Sequence, residues 1–107
     1  MKRRLGEVIL TTMMFHQAGG SKVRPAVVLL DTGDNDFVGA PVTSQTRFSE
    51  FDVPIGDWAA AGLNVPSFIR VHKLTVLPKT DILRSLGTLA DLDKDALIQA
   101  LNRAFRG

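Results

Sequence analysis

Residues 23–30, VRPAVVLL, decide how this chain can fold. The AVVLL run inside this stretch is continuous and apolar, which is typical of a strand covered on both faces. Pro25 stands at the head of the run, and we expect it to mark the start of the strand, where its missing N–H does least harm. The segments on either side must therefore supply the cover.

The flanking segments predict further strands joined by loops and turns. GEVILTTM (6–13) is rich in β-formers, and FHQAGGSKV (15–23) has the paired glycines of a mobile loop. DTGDND (31–36) predicts a hairpin turn that leads to a partner strand, FVGAPVTSQ (37–45). The turn resembles a calcium loop, but Gly33 stands where the third-position ligand is needed, so no metal is expected there.

Three more strands are expected in the second half of the chain. They are FDVPI (51–55), SFIRVHKL (67–74) and ILRSLGTL (82–89). The intervening segment GDWAAAGLNVPS is expected to bury Trp58 and Leu63 on its way between two of them.

A helix is predicted at the C-terminal end of the sequence, with Asp93 as its N-terminal cap. Apolar residues recur along it at helical spacing and form a single stripe. They are Leu97, Ala100, Leu101, Ala104 and Phe105. The whole pattern predicts a mainly β fold, in which a compact, antiparallel, barrel-like sheet carries the helix packed on it.

The composition limits the class of protein. A chain of 107 residues is enough for one hydrophobic core, so we expect a single domain spanning residues 1–107. The sequence contains no apolar run of membrane-spanning length, no signal-peptide core and no cysteine. These features predict a soluble, cytoplasmic protein without disulfides.

Positive charge is spread unevenly along the chain. The net charge is only +2, but basic residues stand in or beside the predicted strands, whereas acidic residues gather elsewhere. The basic residues are Lys22, Arg24, Arg47, Arg70 and Lys73. A basic face suits an anionic ligand such as nucleic acid, although uneven charge is also common on surfaces that are merely solvated.

The stretch SFIRVHK (67–73) carries the side chains with the most chemical capability. Because side chains alternate along a strand, Arg70 and His72 should share one face, while Ile69 and Val71 share the opposite, core-facing one. Histidine titrates near neutral pH, and arginine binds phosphate through two parallel N–H groups. The stretch therefore predicts a core-facing side backed by a chemically capable one.

The chain resembles the PemK/MazF family of bacterial toxins in the order and spacing of GEVILTTM, VRPAVVLL, PVTSQ, PSFIRVHKLTVL, LGTL and a C-terminal helix. The resemblance runs from about residue 6 to residue 105. It implies an SH3-like antiparallel barrel, of the type that CcdB, PemK and MazF share, and a homodimer. It also implies a toxin that cuts single-stranded RNA at short sequences without a metal or other cofactor and is neutralised by a cognate acidic antitoxin.

Cleavage of RNA without a metal makes its own chemical demands. A base must take the 2′-OH proton, an acid must protonate the departing 5′ oxygen, and cations or donors must stabilise the charged phosphorane. RNA supplies its own nucleophile, so the products would end in 2′,3′-cyclic phosphates and no cysteine nucleophile is needed. Histidine and arginine side chains can meet these demands.

The resemblance implies catalytic roles for several residues. Arg24 falls on the family's arginine before proline and would bind phosphate and stabilise the transition state. Thr43 falls in a threonine block whose hydroxyl would contact the scissile phosphate. Arg70 matches an arginine proposed as general acid or charge stabiliser. His72 stands where PemK-type members carry an aspartate as the proposed base, so it either takes that role or marks altered chemistry.

Other residues are expected to bind RNA rather than to cleave it. A histidine in the first loop is a feature of PemK-type members, although the aspartate and proline usual in that loop are missing here. The expected binding residues are His16, Lys22, Ser44, Gln45, Arg47 and Lys73. Phe15 and Phe48 could stack on bases or pack in the core.

Two other functions fit the same sequence. A non-catalytic SH3-like binding module is consistent with His72 in place of an acid and with the altered first loop. A CcdB-type poison of DNA gyrase has the same fold but acts through a Trp-Gly-Ile end, whereas this chain ends NRAFRG. Binding of RNA without cleavage would indicate the first alternative, and an effect on supercoiling the second.

Overall fold

A computed structural model describes residues 2–15, 20–46 and 48–106 of the chain. Strands make up most of the regular structure, two short 3-10 turns interrupt the second half, and a helix follows the last strand. In chain order the elements are β1 (Glu7–Phe15), β2 (Gly20–Leu30), β3 (Asp36–Thr43), β4 (Asp52–Pro54), β5 (Phe68–Arg70), β6 (Thr75–Pro78), β7 (Ile82–Thr88) and α1 (Asp91–Arg106).

The strands form one antiparallel sheet in the order β4-β5-β3-β2-β1-β7, and β6 also pairs with β3. β3 is shared, because its first half pairs with β6 and its last two residues pair with β5. Among the described residues no pairing joins β4 to β7, so the barrel-like sheet is open. The predicted fold class, mainly β with a C-terminal helix, is confirmed.

β2 lies inside the sheet, between β1 and β3. Residues 26–29 are buried, as the apolar run predicts, but Leu30 is 56% exposed. The strand does not begin at Pro25, which is opposite Leu10 of β1 in the middle of the β1–β2 pair. Proline is tolerated there because the β2–β3 ladder starts one residue later, at Ala26, and so needs no N–H from Pro25.

The hairpin between β1 and β2 is longer than the sequence predicts. Residues 20–23 belong to β2 and are opposite residues 12–15 of β1, although they were expected to lie in a loop. We call residues 20–24, which are exposed, the arm of β2. Residues 16–19 lie outside the described part of the chain.

Apolar side chains are buried on both sides of the sheet, which explains the continuous apolar run in β2. One cluster faces α1 and includes Val27, Val42, Ile69, Leu97 and Ala100, with Trp58 and Leu63 partly buried against it as predicted. The other cluster is formed by Ile9, Met13, Ala26, Val28, Phe37 and Leu77. Successive residues of β2 therefore belong to the two clusters in alternation.

The predicted apolar stripe of α1 is only partly correct. Leu97 and Ala100 are fully buried, whereas Phe105 is 74% exposed. Asp93 is not the N-terminal cap, because the helix begins at Asp91. The Asp93 carboxylate instead accepts hydrogen bonds from the backbone N–H groups of Gly56, at 2.8 Å, and Asp57, at 2.9 Å. Asp93 therefore attaches the helix to the segment that follows β4.

A buried carboxylate organises the turn between β2 and β3. Asp31 accepts hydrogen bonds from the backbone N–H groups of Arg3, at 2.6 Å, and Gly33, at 2.8 Å, and from Lys79 Nζ at 2.8 Å. The hydrogen bond from Arg3 and the pair with Lys79 hold the pKa of Asp31 far below 3.8, although burial acts in the opposite direction. Asp31 thus joins the N-terminal segment, the hairpin turn and the 3-10 turn before β7.

Two further differences lie in the second half of the chain. The expected strand SFIRVHKL is shorter, since β5 ends at Arg70 and a 3-10 turn, Val71–Lys73, follows it. β6 was not predicted, because its four residues show no clear alternation. The last strand, β7, lies where it was expected.

No helix of the described ranges is long and apolar enough to cross a membrane.

Candidate active site

Strand register brings Arg24 and Thr43 to the same face of the sheet. Ala26 of β2 is opposite Pro41 of β3, so their side chains lie on one face. Arg24 lies two residues before Ala26 in β2, and Thr43 lies two residues after Pro41 in β3. Because side chains alternate between the faces of a strand, Arg24 and Thr43 belong to the same face as Ala26 and Pro41. Arg24 is exposed and Thr43 is half-buried. The two residues therefore lie level with each other where β2 and β3 separate.

β5 continues this face on the other side of β3. Thr43 is opposite Phe68, so Phe68 shares its face, and Arg70 follows two residues later on the same strand. Asp52 of β4 is directly opposite Arg70. The sheet thus presents Arg24, Thr43 and Arg70 together, although they are far apart in the sequence.

Arg70 lies between an acid and an imidazole. Its Nε donates a hydrogen bond to Asp52 Oδ1 at 3.0 Å, and its Nη2 lies 3.2 Å from His72 Nε2. Because a guanidinium has only donors, a hydrogen bond in this contact requires Nε2 of His72 to be the acceptor.

Side chains around Arg70 alternate between buried and exposed as predicted, but a continuous strand is not the reason. Ile69 and Val71 are fully buried, Arg70 is partly exposed, and His72 is exposed. His72 does not belong to the strand, because the 3-10 turn begins at Val71. The tight turn, rather than strand pleating, brings the imidazole beside the guanidinium.

Asp52 is an ionised, buried partner of this pair. Its side chain is only 2% exposed, and its second oxygen accepts a hydrogen bond from the Ser49 hydroxyl at 2.8 Å. Burial alone would raise the pKa of Asp52, but the hydrogen bonds from Ser49 and Arg70 and the positive charge nearby outweigh it and lower the pKa below 3.8. The site therefore holds a fixed negative charge behind Arg70.

Four of the remaining predicted binding residues are exposed: Lys22, Ser44, Gln45 and Lys73. Thr43 Oγ1 accepts a hydrogen bond from the Gln45 backbone N–H at 3.2 Å, which shapes the chain as it leaves β3. His16 and Arg47 lie outside the described residues.

The sequence did not point to Asp52 or Ser49 as parts of the site. Asp52 meets Arg70 only through the β4–β5 pairing, and a single sequence carries no signal for that pairing. Phe48 is 93% exposed in the connection between β3 and β4, so the core packing considered for it is wrong. The ring of Phe51 lies 6.2 Å from the His72 ring, measured between centroids.

Residues 4–105 match the family model described as PemK-like, MazF-like toxin of type II toxin-antitoxin system. A curated relative, Endoribonuclease MazF3 of Mycobacterium tuberculosis, is 30% identical over 94 residues, which cover 84% of this chain and 89% of the relative.

Solved structures share the fold. The Mycobacterium tuberculosis toxin MazF-mt6 has a TM-score of 0.73 at 25% identity, covering 92% of this chain and 96% of its own. An endoribonuclease in complex with its cognate antitoxin, from a Mycobacterial species, has a TM-score of 0.79 at 15% identity, covering 97% and 95%. The family match over nearly the whole chain, together with this shared fold, means that the chain belongs to the PemK-like, MazF-like toxins of type II toxin–antitoxin systems.

Proposed function

We propose that this toxin is a metal-independent endoribonuclease that cuts single-stranded RNA to 2′,3′-cyclic phosphate ends, with Arg24, Thr43, Arg70 and His72 as its catalytic residues. The observation that carries the proposal is the 3.2 Å contact between Arg70 Nη2 and His72 Nε2, on the face that Arg24 and Thr43 share. A proton acceptor beside a phosphate-binding cation is what transfer of the 2′-OH proton requires.

His72 is the general base in this mechanism. Its Nε2 lies 3.2 Å from Arg70 Nη2 in the free protein and takes the 2′-OH proton when RNA is bound. The 2′ oxygen then attacks the adjacent phosphorus, and the P–O5′ bond breaks as the departing 5′ oxygen takes a proton from water. Arg70 stabilises the charge of the phosphorane with N–H groups that Asp52 does not use.

Arg24 and Thr43 bind the scissile phosphate from the neighbouring strands. Arg24 is exposed, so its guanidinium can reach a phosphate without the cost of extracting it from the core. The Thr43 hydroxyl accepts a hydrogen bond from Gln45 N–H, which leaves its own proton available for a phosphate oxygen.

RNA binding extends beyond the catalytic residues. Lys22, Ser44, Gln45 and Lys73 are exposed and supply contacts to the RNA backbone, and the family resemblance adds His16 and Arg47 to this group. We expect a homodimer, in which two such faces form a longer basic groove, and we expect it to act on RNA in the cytoplasm. A cognate acidic antitoxin would inhibit the toxin by covering this groove, and one similar solved structure is of an endoribonuclease with its antitoxin.

The direct test is incubation of the purified protein with a long single-stranded RNA in excess EDTA, followed by mapping of the ends. Arg24→Ala should abolish cleavage. Arg84→Ala is the matched control, because Arg84 is also an exposed strand arginine but is opposite Leu10, whose side chain lies on the other face of the sheet. Discrete cuts with cyclic phosphate ends, lost in Arg24→Ala and kept in Arg84→Ala, are expected.

Other outcomes would identify the alternatives. RNA that is bound but left intact would indicate a binding module and refute the proposed activity. Inhibition of gyrase supercoiling by a protein that leaves RNA intact would indicate a CcdB-type poison.

A further inference from the structure

We propose that Asp52 is a positioning residue that holds the Arg70 guanidinium by its Nε, so that the terminal N–H groups face His72 and the RNA phosphate. This inference rests on the proposed function, because the orientation of Arg70 affects catalysis only if Arg70 acts on RNA. It adds to the site a carboxylate that does not itself contact the substrate.

The geometry of the pair supports this role. Asp52 Oδ1 contacts Arg70 at Nε, at 3.0 Å, rather than at the two terminal nitrogens. A carboxylate that bound both terminal nitrogens of the guanidinium would occupy the N–H groups needed for phosphate. Contact through Nε leaves Nη2 free to point at His72, at 3.2 Å. The carboxylate thus fixes the plane of the guanidinium without using its phosphate-binding end.

The carboxylate is itself held in place. Ser49 Oγ donates to Asp52 Oδ2 at 2.8 Å, so a separate partner engages each carboxylate oxygen. The Ser49 hydroxyl also accepts from the Phe51 N–H at 3.2 Å, and the Asp52 N–H donates to Ser49 O at 3.1 Å. These contacts form a compact turn at residues 49–52. Asp52 therefore has little freedom to rotate with Arg70.

The pairing of β4 with β5 fixes where this turn meets Arg70. Asp52 is opposite Arg70, and the next pair, Val53 and Ile69, is buried in the core, with exposures of 5% and 0%. A shift of one residue would turn these apolar side chains out of the core. The core thus maintains the register that keeps acid and guanidinium together.

Burial separates this pair from an ordinary surface ion pair. The Asp52 side chain is 2% exposed and that of Arg70 is 24% exposed, so the carboxylate is shielded from solvent while part of the arginine side chain stays accessible. Exposed ion pairs hold their geometry weakly, because water and salt compete for both partners. A buried carboxylate with two hydrogen bonds instead behaves as a fixed anchor.

The first test is a spectroscopic one that needs no RNA. The Arg70 Nε–H resonance, assigned by its loss in Arg70→Lys, should exchange slowly with solvent in the unmodified protein. In Asp52→Asn a neutral acceptor replaces a charged one, so exchange should become at least about tenfold faster. Asp93→Asn is the matched control, because Asp93 and Asp52 as whole residues are both 8% exposed, and the Asp93 carboxylate contacts Gly56 and Asp57 instead.

The second test compares kcat with KM for RNA cleavage. Asp52→Asn should lower kcat by about 10- to 100-fold with KM almost unchanged, since a misplaced guanidinium affects the reacting phosphate more than overall binding. Ser49→Ala should also lower kcat, by a smaller factor. It replaces Asp52→Asn as the test variant if Asp52→Asn does not fold. Asp93→Asn, measured below its melting temperature, should keep the kcat of the unmodified protein.

The outcomes distinguish failure of this inference from failure of the proposed function. If Asp52→Asn and Ser49→Ala fold and cleave with unchanged kcat, or if Arg70 Nε–H exchange does not change in either, Asp52 does not position Arg70. If the unmodified protein cuts no RNA, the proposed function is wrong, and the exchange measurement alone decides whether Asp52 holds the guanidinium.

Discussion

Replacing Gly62 with alanine should destabilise the protein more than the same change at Gly33. Both glycines have positive φ, +81° and +96°, where an alanine is strained by about 1–2 kcal/mol. At Gly33 the new methyl group would meet nothing within 4 Å, so this strain is the whole cost. At Gly62 it would overlap the Leu86 carbonyl oxygen and lie 2.5 Å from the carbonyl carbon. Separating the two backbones adds about 1–3 kcal/mol, which brings the total to about 2–5 kcal/mol.

Urea denaturation of the two variants and the unmodified protein measures this difference directly. The midpoint should fall in both variants, and the fall should be clearly larger for Gly62→Ala at an unchanged m-value. Equal losses of unfolding free energy at the two positions would contradict the close approach of the Gly62 turn to β7.

Three further predictions concern the site and the buried acids. His72→Ala should lower kcat for RNA cleavage by about 100-fold or more with RNA affinity nearly intact, and an unchanged rate would exclude His72 as the base. Phe48→Ala should raise KM without changing the melting temperature, because the ring is 93% exposed; an unchanged KM would show that it does not stack on RNA. The pKa values of Asp31 and Asp52 are lowered in the folded protein, so the stability they supply is complete above the unfolded-state pKa of about 4 and is lost as the pH falls toward the folded-state values. Thermal melts from pH 6 to pH 3 should therefore show a smaller decline for Asp31→Asn than for the unmodified protein, and equal declines would contradict the role of Asp31.

Local patterns in the sequence predicted the elements that bury their own side chains. The apolar run of β2 and the helical spacing of Leu97 and Ala100 were sufficient, because a strand or helix with a continuous apolar side must face a core. Phe105 follows the same spacing but is 74% exposed near the end of α1, so the pattern overestimates its burial.

Contacts between distant segments could not be predicted in this way. Asp52 and Arg70 meet because β4 and β5 pair, and Asp93 binds the backbone after β4 because α1 packs beside it. Helix-capping preference placed Asp93 at the start of the helix, but a carboxylate buried near free N–H groups of another segment satisfies those instead. The catalytic candidates Arg24, Thr43 and Arg70 were named from the family resemblance, and their roles stay predictions.

The arm of β2 has a consequence for local stability. Its residues are exposed and, within the described chain, pair with β1 alone, whereas residues 26–29 are buried, and Ala26 and Val27 among them pair with both β1 and β3. Opening the arm therefore breaks few contacts, and its amides should exchange with deuterium long before those of the buried half. Arg24 stands at the boundary. Mutations in the arm of β2 can therefore change the contacts that the arm makes, while the buried residues 26–29 of the same strand preserve the fold.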